Sequence, residues 1–212
     1  MKTATQETFT RLCLVRHGET DWNAAGILQG WSDVPINDTG RLQARELSIR
    51  LADSGFKQIW SSPLIRALES AQIIANMLGL PAPRCHDGLR ERHFGVIQGI
   101  PKSELAELNP VLLQQILKRN PATDFEGGES MDEFADRVLA SLEEIAVETA
   151  NDEPVLMISH GWVLDVVTRH IRHLPRNALL GVKPRNGETL WLEATSVSGS
   201  PVIQASQAKM SD

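Results

Sequence analysis

The sequence predicts an α/β fold: a three-layer αβα sandwich around a mostly parallel sheet, with a short inserted cap segment. Three observations carry this. Short apolar runs alternate with amphipathic helical patterns, the sequence form of βαβ units. The clearest run, Val155-Leu156-Met157-Ile158, is apolar at every position, as a strand covered on both faces must be. Two runs also end alike, in Val15-Arg16-His17-Gly18 and Ile158-Ser159-His160-Gly161.

Taken in order, Arg11-Leu12-Cys13-Leu14-Val15 is the first strand. Polar loop residues lead to Asp38-Thr39-Gly40, where a helix opens with Leu42, Leu47 and Leu51 on one side and closes at Gly55. Lys57-Gln58-Ile59-Trp60 is a second strand. Ser61-Ser62-Pro63 starts the next helix, with a serine cap and proline in the first turn; it carries Leu64, Leu68, Ala71, Ile74, Ala75 and Leu78 and stops at Gly79. Pro83-Arg84-Cys85-His86 is a short third strand. Residues 101–128 then interrupt the alternation with a helix over Ser103–Arg119 and the turn-rich Asn120–Gly128, an insertion or cap near the carboxyl edge of the sheet. Glu129-Ser130 precedes a long helix striped by Phe134, Val138, Leu142 and Ile145. The buried strand ending at Ser159 follows, then a helix from Gly161 and a last strand at Leu190-Trp191-Leu192-Glu193-Ala194. Residues 195–212 are rich in Ser, Ala and Gln with little periodicity, which predicts a loosely attached tail. The whole, 1–212, is expected to form one domain.

A chain of 212 residues, 42% hydrophobic and 23% charged, has enough apolar material for a proper core, which excludes disorder as its main state. No apolar run is long enough to span a bilayer, and the polar N-terminus lacks the apolar core of a signal peptide, so a cytoplasmic location is expected. The two cysteines, Cys13 and Cys85, form no CxxC pair, and Cys13 reads as a reduced core thiol. The net charge of −6 argues against nucleic acid or an anionic membrane as partner. An anionic ligand must therefore be held by a few focused cations.

Ligands of open parallel sheets bind outside the carboxyl ends of the strands. Both His-Gly pairs fall there, with Arg16 beside the first and Arg66 in the opening turn of the helix after the second strand. Helix starts near Pro63 and Gly161 add backbone N–H groups. Two arginines, two histidines and helix N-termini suit a doubly charged phosphoryl group. A metal reading lacks the carboxylates or thiolates that accompany histidine ligands. Singly, each arginine reads as a salt-bridge partner and Glu91 as part of a solvated loop; the set of strand-end residues is what makes a site. His86, His170 and His173 read as structural, Trp22, Trp31 and Trp162 as packing or pocket-wall residues, and Glu129 as a helix start.

Several blocks together resemble the histidine phosphatase superfamily, which includes cofactor-dependent phosphoglycerate mutases. These are Leu14-Val15-Arg16-His17-Gly18-Glu19-Thr20-Asp21-Trp22-Asn23, Leu28-Gln29-Gly30-Trp31-Ser32-Asp33, Ser61-Ser62-Pro63-Leu64-Ile65-Arg66-Ala67, Leu89-Arg90-Glu91-Arg92-His93-Phe94-Gly95, Gly127-Gly128-Glu129-Ser130 and Ser159-His160-Gly161. They stand in the family's order and cover about residues 11–194. The resemblance implies a nucleophile at His17 that becomes phosphohistidine, phosphate held by Arg16, Arg66 and a protonated His160, and a proton donor and later base at Glu91. It implies further substrate contacts at Asn23, Gln29, Gly30, His93 and Gly161. It implies no metal and no organic cofactor, with a bisphosphoglycerate primer only if the chain is a mutase.

Within that resemblance, the pattern Glu91-Arg92-His93-Phe94-Gly95, Gln98-Gly99, Lys102 and the pair Lys118-Arg119 lean towards a mutase. Phe94 in place of tyrosine, Trp162 in place of asparagine, the short stretch from Arg119 to Gly127 and the Gly127-Gly128-Glu129-Ser130 block lean towards a phosphatase, since a mutase must shield its intermediate from water. The favoured reading is a metal-independent phosphatase acting on a small phosphorylated metabolite. A mutase is the alternative, and a non-catalytic binder of phosphorylated ligands is the alternative from another class. A homodimer is left open.

Overall fold

The computed structural model describes residues 9–149, 153–181, 183–197 and 200–206. In chain order the elements are β1 (Phe9–Arg16), α1 (Asp21–Ala24), α2 (Asp38–Arg50), β2 (Gln58–Ser61), α3 (Ile65–Leu78), β3 (Arg84–Cys85), α4 (Lys102–Leu108), α5 (Pro110–Leu117), α6 (Met131–Glu148), β4 (Val155–Ser159), α7 (Gly161–Ile171), β5 (Thr189–Val197) and β6 (Ser200–Ala205). The six strands form one sheet in the order β3-β2-β4-β1-β5-β6. β3, β2, β4 and β1 run parallel, whereas β5 and β6 are antiparallel to their neighbours.

Alternation along the central strands sends side chains to two cores. Cys13, Val15, Leu156 and Ile158 pack with Ala44 and Leu47 of α2 and Ala67, Ala71 and Ile74 of α3. Leu12, Leu14, Val155 and Met157 pack on the opposite face with Phe134, Val138, Leu142 and Ile145 of α6 and Val163 and Val167 of α7. That is a six-stranded sheet between two helical layers. The capping box of α6 explains its clean start: Ser130 accepts from the Glu133 N–H while the Glu133 carboxylate accepts from the Ser130 N–H.

Four expectations are corrected. The helix expected over Ser103–Arg119 is two helices, because Pro110 has no N–H to continue α4 and disfavours helical geometry at Asn109; Asn109 instead caps α5 by accepting from the Leu112 N–H at 2.9 Å. Leu42 is 56% exposed, and α2 buries Ala44 and Leu47. The helix after β2 begins at Ile65 with no side-chain cap; Ser62 accepts from the Leu64 N–H in the turn before it. In the tail expected from residue 195 onward, residues 195–197 belong to β5 and Ser200–Ala205 form β6: β6 pairs with β5, and Ile203 enters the core. An edge strand that buries one large apolar side chain leaves almost no periodic signal. Residues 207–212 lie outside the described residues.

Candidate active site

Because β1, β2 and β4 are parallel, their carboxyl ends meet at one edge of the sheet. The His17 N–H donates to Ser159 O, and the Ser62 N–H to Ile158 O, both at 2.9 Å, so the three strand ends are tied before they diverge. Above this edge lies a cleft of about 130 Å³ lined by Arg16, His17, Asn23, Gln29, Gly30, Arg66 and Glu91, and also by Lys102, Arg119, Trp162 and Lys183. Residues separated widely along the chain thus reach one cavity.

His17 sits with its ring fixed. Its Nδ1 lies 2.6 Å from Gly18 O, a geometry in which Nδ1–H donates and Nε2 keeps its lone pair. Burial lowers the ring's pKa well below 6.5, and the nearby Arg66 and Arg16 lower it further. Gly18 is required here: a Cβ would stand 2.5 Å from Gly40 O, where the loop after β1 crosses the start of α2. The His160 ring lies 5.1 Å from that of His17, inclined by 60°. His160 Nε2 is 2.8 Å from Ser62 Oγ. Burial, then Arg66, His17 and Arg16, lower the His160 pKa well below 6.5, which favours the neutral ring.

The two arginines are buried and held from behind. Arg16 Nη1 donates to Pro184 O at 2.7 Å; Arg66 donates to Ser32 O at 2.9 Å and to Gly30 O at 2.7 Å. Burial lowers each to about 10, which leaves both charged at neutral pH. The Nε of Arg16, the Nε of Arg66 and Nδ1 of His160 are buried and have no hydrogen-bond partner among the described residues. Two donors and an imidazole nitrogen are therefore left at one strand edge, a set suited to a phosphoryl group. Glu91 lies across the cleft, its Oε1 accepting from the Arg92 N–H at 3.0 Å. Burial raises its pKa, opposed by Arg119, the Arg92 hydrogen bond, Arg66 and Arg16.

Of the other expected contacts, Asn23, Gln29 and Gly30 line the cleft. Gly161 borders it: a Cβ there would lie 3.5 Å from Arg16 Nε and 3.6 Å from Arg119 Nη2. His93 is not brought to the lining; its ring packs edge-on to Trp31 at 5.0 Å, and its Nδ1 accepts from the Gly95 N–H. Three residues were missed by sequence reasoning. Lys183 reaches the cleft from an irregular loop. Asp165 holds Arg119 Nε at 2.5 Å beneath the cap, and Asn186 donates to His17 O at 2.8 Å. None of the three left a local mark in the sequence. Among the described residues no group of three or more His, Cys, Asp or Glu is placed to hold a metal ion, and no helix is long and apolar enough to cross a membrane.

The family model for the histidine phosphatase superfamily (branch 1) matches residues 12–204. The chain is 36% identical over 158 residues to phosphoglycerate mutase-like protein 4 of Arabidopsis thaliana, covering 74% of this chain and 68% of that protein. It is 37% identical over 160 residues to the metal-independent phosphoserine phosphatase of the same plant, covering 74% and 67%. Among solved structures, mycobacterial glucosyl-3-phosphoglycerate phosphatase in complex with VO3 superposes with a TM-score of 0.78 at 27% identity, over 94% of this chain and 99% of that one.

Proposed function

This chain belongs to the histidine phosphatase superfamily, and from that premise we propose that it is a metal-independent phosphatase that hydrolyses a small phosphomonoester through a phosphohistidine on His17. The observation that carries the reading is the His17 Nδ1 contact to Gly18 O at 2.6 Å in a ring kept neutral, which leaves Nε2 as a ready nucleophile.

Nε2 attacks phosphorus as the bond to the leaving oxygen breaks, and Glu91 gives that oxygen its proton. The Nε groups of Arg16 and Arg66 hold the equatorial oxygens as charge shifts onto them. With Ser62 donating its hydroxyl proton to Nε2 of His160, the His160 proton sits on Nδ1 and supplies a neutral hydrogen bond. Glu91, now a carboxylate, takes a proton from water. The hydroxide oxygen bonds to phosphorus, the P–N electron pair returns to His17, and inorganic phosphate leaves.

The cleft also supports a finer reading of the substrate. Burial lowers the Lys102 pKa, with Arg119 and Arg16 adding to it; burial lowers that of Lys183, with Arg16, Lys102 and Arg119 adding to it. Cations crowded in this way favour a second anionic group on the leaving alcohol, as in a phosphorylated carboxylate. The names of two relatives, a phosphoserine phosphatase and a glucosyl-3-phosphoglycerate phosphatase, fit that class. The same crowding favours the mutase as a second reading. Phosphate release from a panel of phosphorylated carboxylates and neutral sugar phosphates, with chelator present, tests the proposal beside phosphoglycerate interconversion with a bisphosphoglycerate primer. Release that outruns interconversion is expected; primer-dependent interconversion without release overturns it.

A further inference from the structure

Glu91 stands in a stretch, residues 90–94, that belongs to no helix or strand. A backbone without a ladder takes its position from whatever satisfies its polar groups. Here the carbonyls of Arg90 and Glu91 are gathered by one guanidinium. From α6, Arg137 Nη1 donates to Gly88 O at 2.9 Å and to Arg90 O at 3.1 Å, and Nη2 donates to Glu91 O at 3.2 Å. The chain curls around this single fork, and the Glu91 side chain lines the cleft. Trp31 Nε1 donates to the same Glu91 carbonyl at 2.6 Å, so that carbonyl is held by two donors.

The fork is itself fixed. Glu129 pairs with it twice, Oε1 to Nε and Oε2 to Nη2, both at 2.8 Å. Glu129 Oε2 also accepts from the His93 N–H at 2.8 Å, beyond Glu91 on the far side. The pair therefore grips the chain before, at and after the acid. Arg137 is only partly buried and already paired with a carboxylate, yet it also gathers four carbonyls, those of Asp87, Gly88, Arg90 and Glu91, around one side chain.

We propose that Arg137, held by Glu129, is a positioning residue for Glu91, setting the reach of its carboxyl to the leaving oxygen. The proposal rests on the proton-donor reading of Glu91 given above. A displacement of about 1 Å in such a group costs on the order of 10²-fold in rate, and the loss falls on substrates whose leaving group needs a proton.

The test uses Arg137→Lys, which keeps the charge without the fork, and Glu129→Gln, which keeps an acceptor for His93 without the ion pair. Single-turnover phosphorylation is measured with an alkyl phosphate and with nitrophenyl phosphate, alongside vanadate affinity and with Glu91→Gln as reference. Both variants are expected to slow the alkyl substrate about tenfold or more, the activated aryl substrate less than about threefold, and to leave vanadate affinity unchanged. Equal slowing of the two substrates, or none, overturns the proposal. If Glu91→Gln fails to discriminate between them, the proton-donor reading itself falls and this inference with it. If Glu91→Gln discriminates and the two variants do not, only the inference falls. Should Arg137→Lys not fold, Glu129→Gln decides by the same criteria.

Discussion

His17 and His160 meet edge to face with their ring centroids 5.1 Å apart, both fully enclosed and both neutral. Two imidazoles this close beside two buried arginines cannot both take up protons without great cost, and the site is built so that neither does. On the proposed reading, the arginines supply the fixed positive charge, and the histidines supply lone pairs and a hydrogen bond. This division of labour has consequences for stability as well as for chemistry.

Acid should destabilise the protein from about pH 6.5 downward. The unfolded chain protonates both histidines near 6.5, while the folded pKa values lie well below that. Stability is therefore present above 6.5 and lost as pH falls, at about 1.4 kcal/mol per pH unit per histidine until the folded pKa values are reached. Glu91 and Asp165, whose pKa values are raised, act in the opposite sense as they take up protons on folding. Urea midpoints in phosphate-free buffer, compared with those of His160→Gln, isolate the histidine contribution. The variant should show a shallower loss; parallel curves would contradict the assignment.

If the proposed activity holds, Lys183→Ala should discriminate between substrates rather than abolish turnover. Lys183 lines the cleft with Arg119 and Lys102, and Arg16 is the charge that acts on it most strongly. Loss of one charge-assisted contact, about 1.5–3 kcal/mol at most, raises KM for phosphoserine roughly tenfold. KM for glycerol phosphate should change less than about twofold. Steady-state assays on both substrates decide it, and equal changes would mean that Lys183 reads no second anion.

Gly18→Ala is expected to cost both stability and turnover. Its Cβ would meet Gly40 O at 2.5 Å, a backbone atom that cannot swing aside as a side-chain tip can. Overpacking of this kind costs about 1–3 kcal/mol, and any relief must move the carbonyl that orients His17. Chemical denaturation and nitrophenyl phosphate turnover should both fall, whereas unchanged turnover would separate the Gly18–Gly40 contact from the nucleophile.

What the sequence made readable follows from range along the chain. His17 and His160 could be found because each ends an apolar strand whose pattern is local, and parallel pairing then brings the two together. Phe134, Val138, Leu142 and Ile145 announce their helix by spacing alone, and all four are fully buried. Lys183, Asp165 and Arg137 have no such local mark. Each acquires meaning from a partner far along the chain, Arg119 for Asp165 and the Glu91 loop for Arg137, and no periodicity records a partner. Composition misleads at β6 for a related reason: its ladder with β5 is made by backbone, which Ser and Gln form as well as Val does.

The pH dependence of phosphoryl transfer should distinguish the roles of His17 and Glu91 by sign. Transfer to His17 from an alkyl phosphate needs a neutral ring and a protonated carboxyl. The ring's pKa lies well below 6.5, so no loss of rate is expected on acidification through 6.5. The carboxyl's pKa lies above 4.5, raised chiefly by burial, so the single-turnover rate at saturating substrate should fall as pH rises through that raised value. Nitrophenyl phosphate departs without a proton, and its profile over the same range should be nearly flat. Hydrolysis of the phosphohistidine needs the carboxylate as base and should rise with pH through the same group, so steady-state rates take a bell shape that hides both limbs. Glu91→Gln removes the alkaline fall for the alkyl substrate along with most of its rate. A decline on acidification near pH 6.5, retained in Glu91→Gln, would instead mean that His17 titrates normally and that burial and the two arginines fail to hold it neutral.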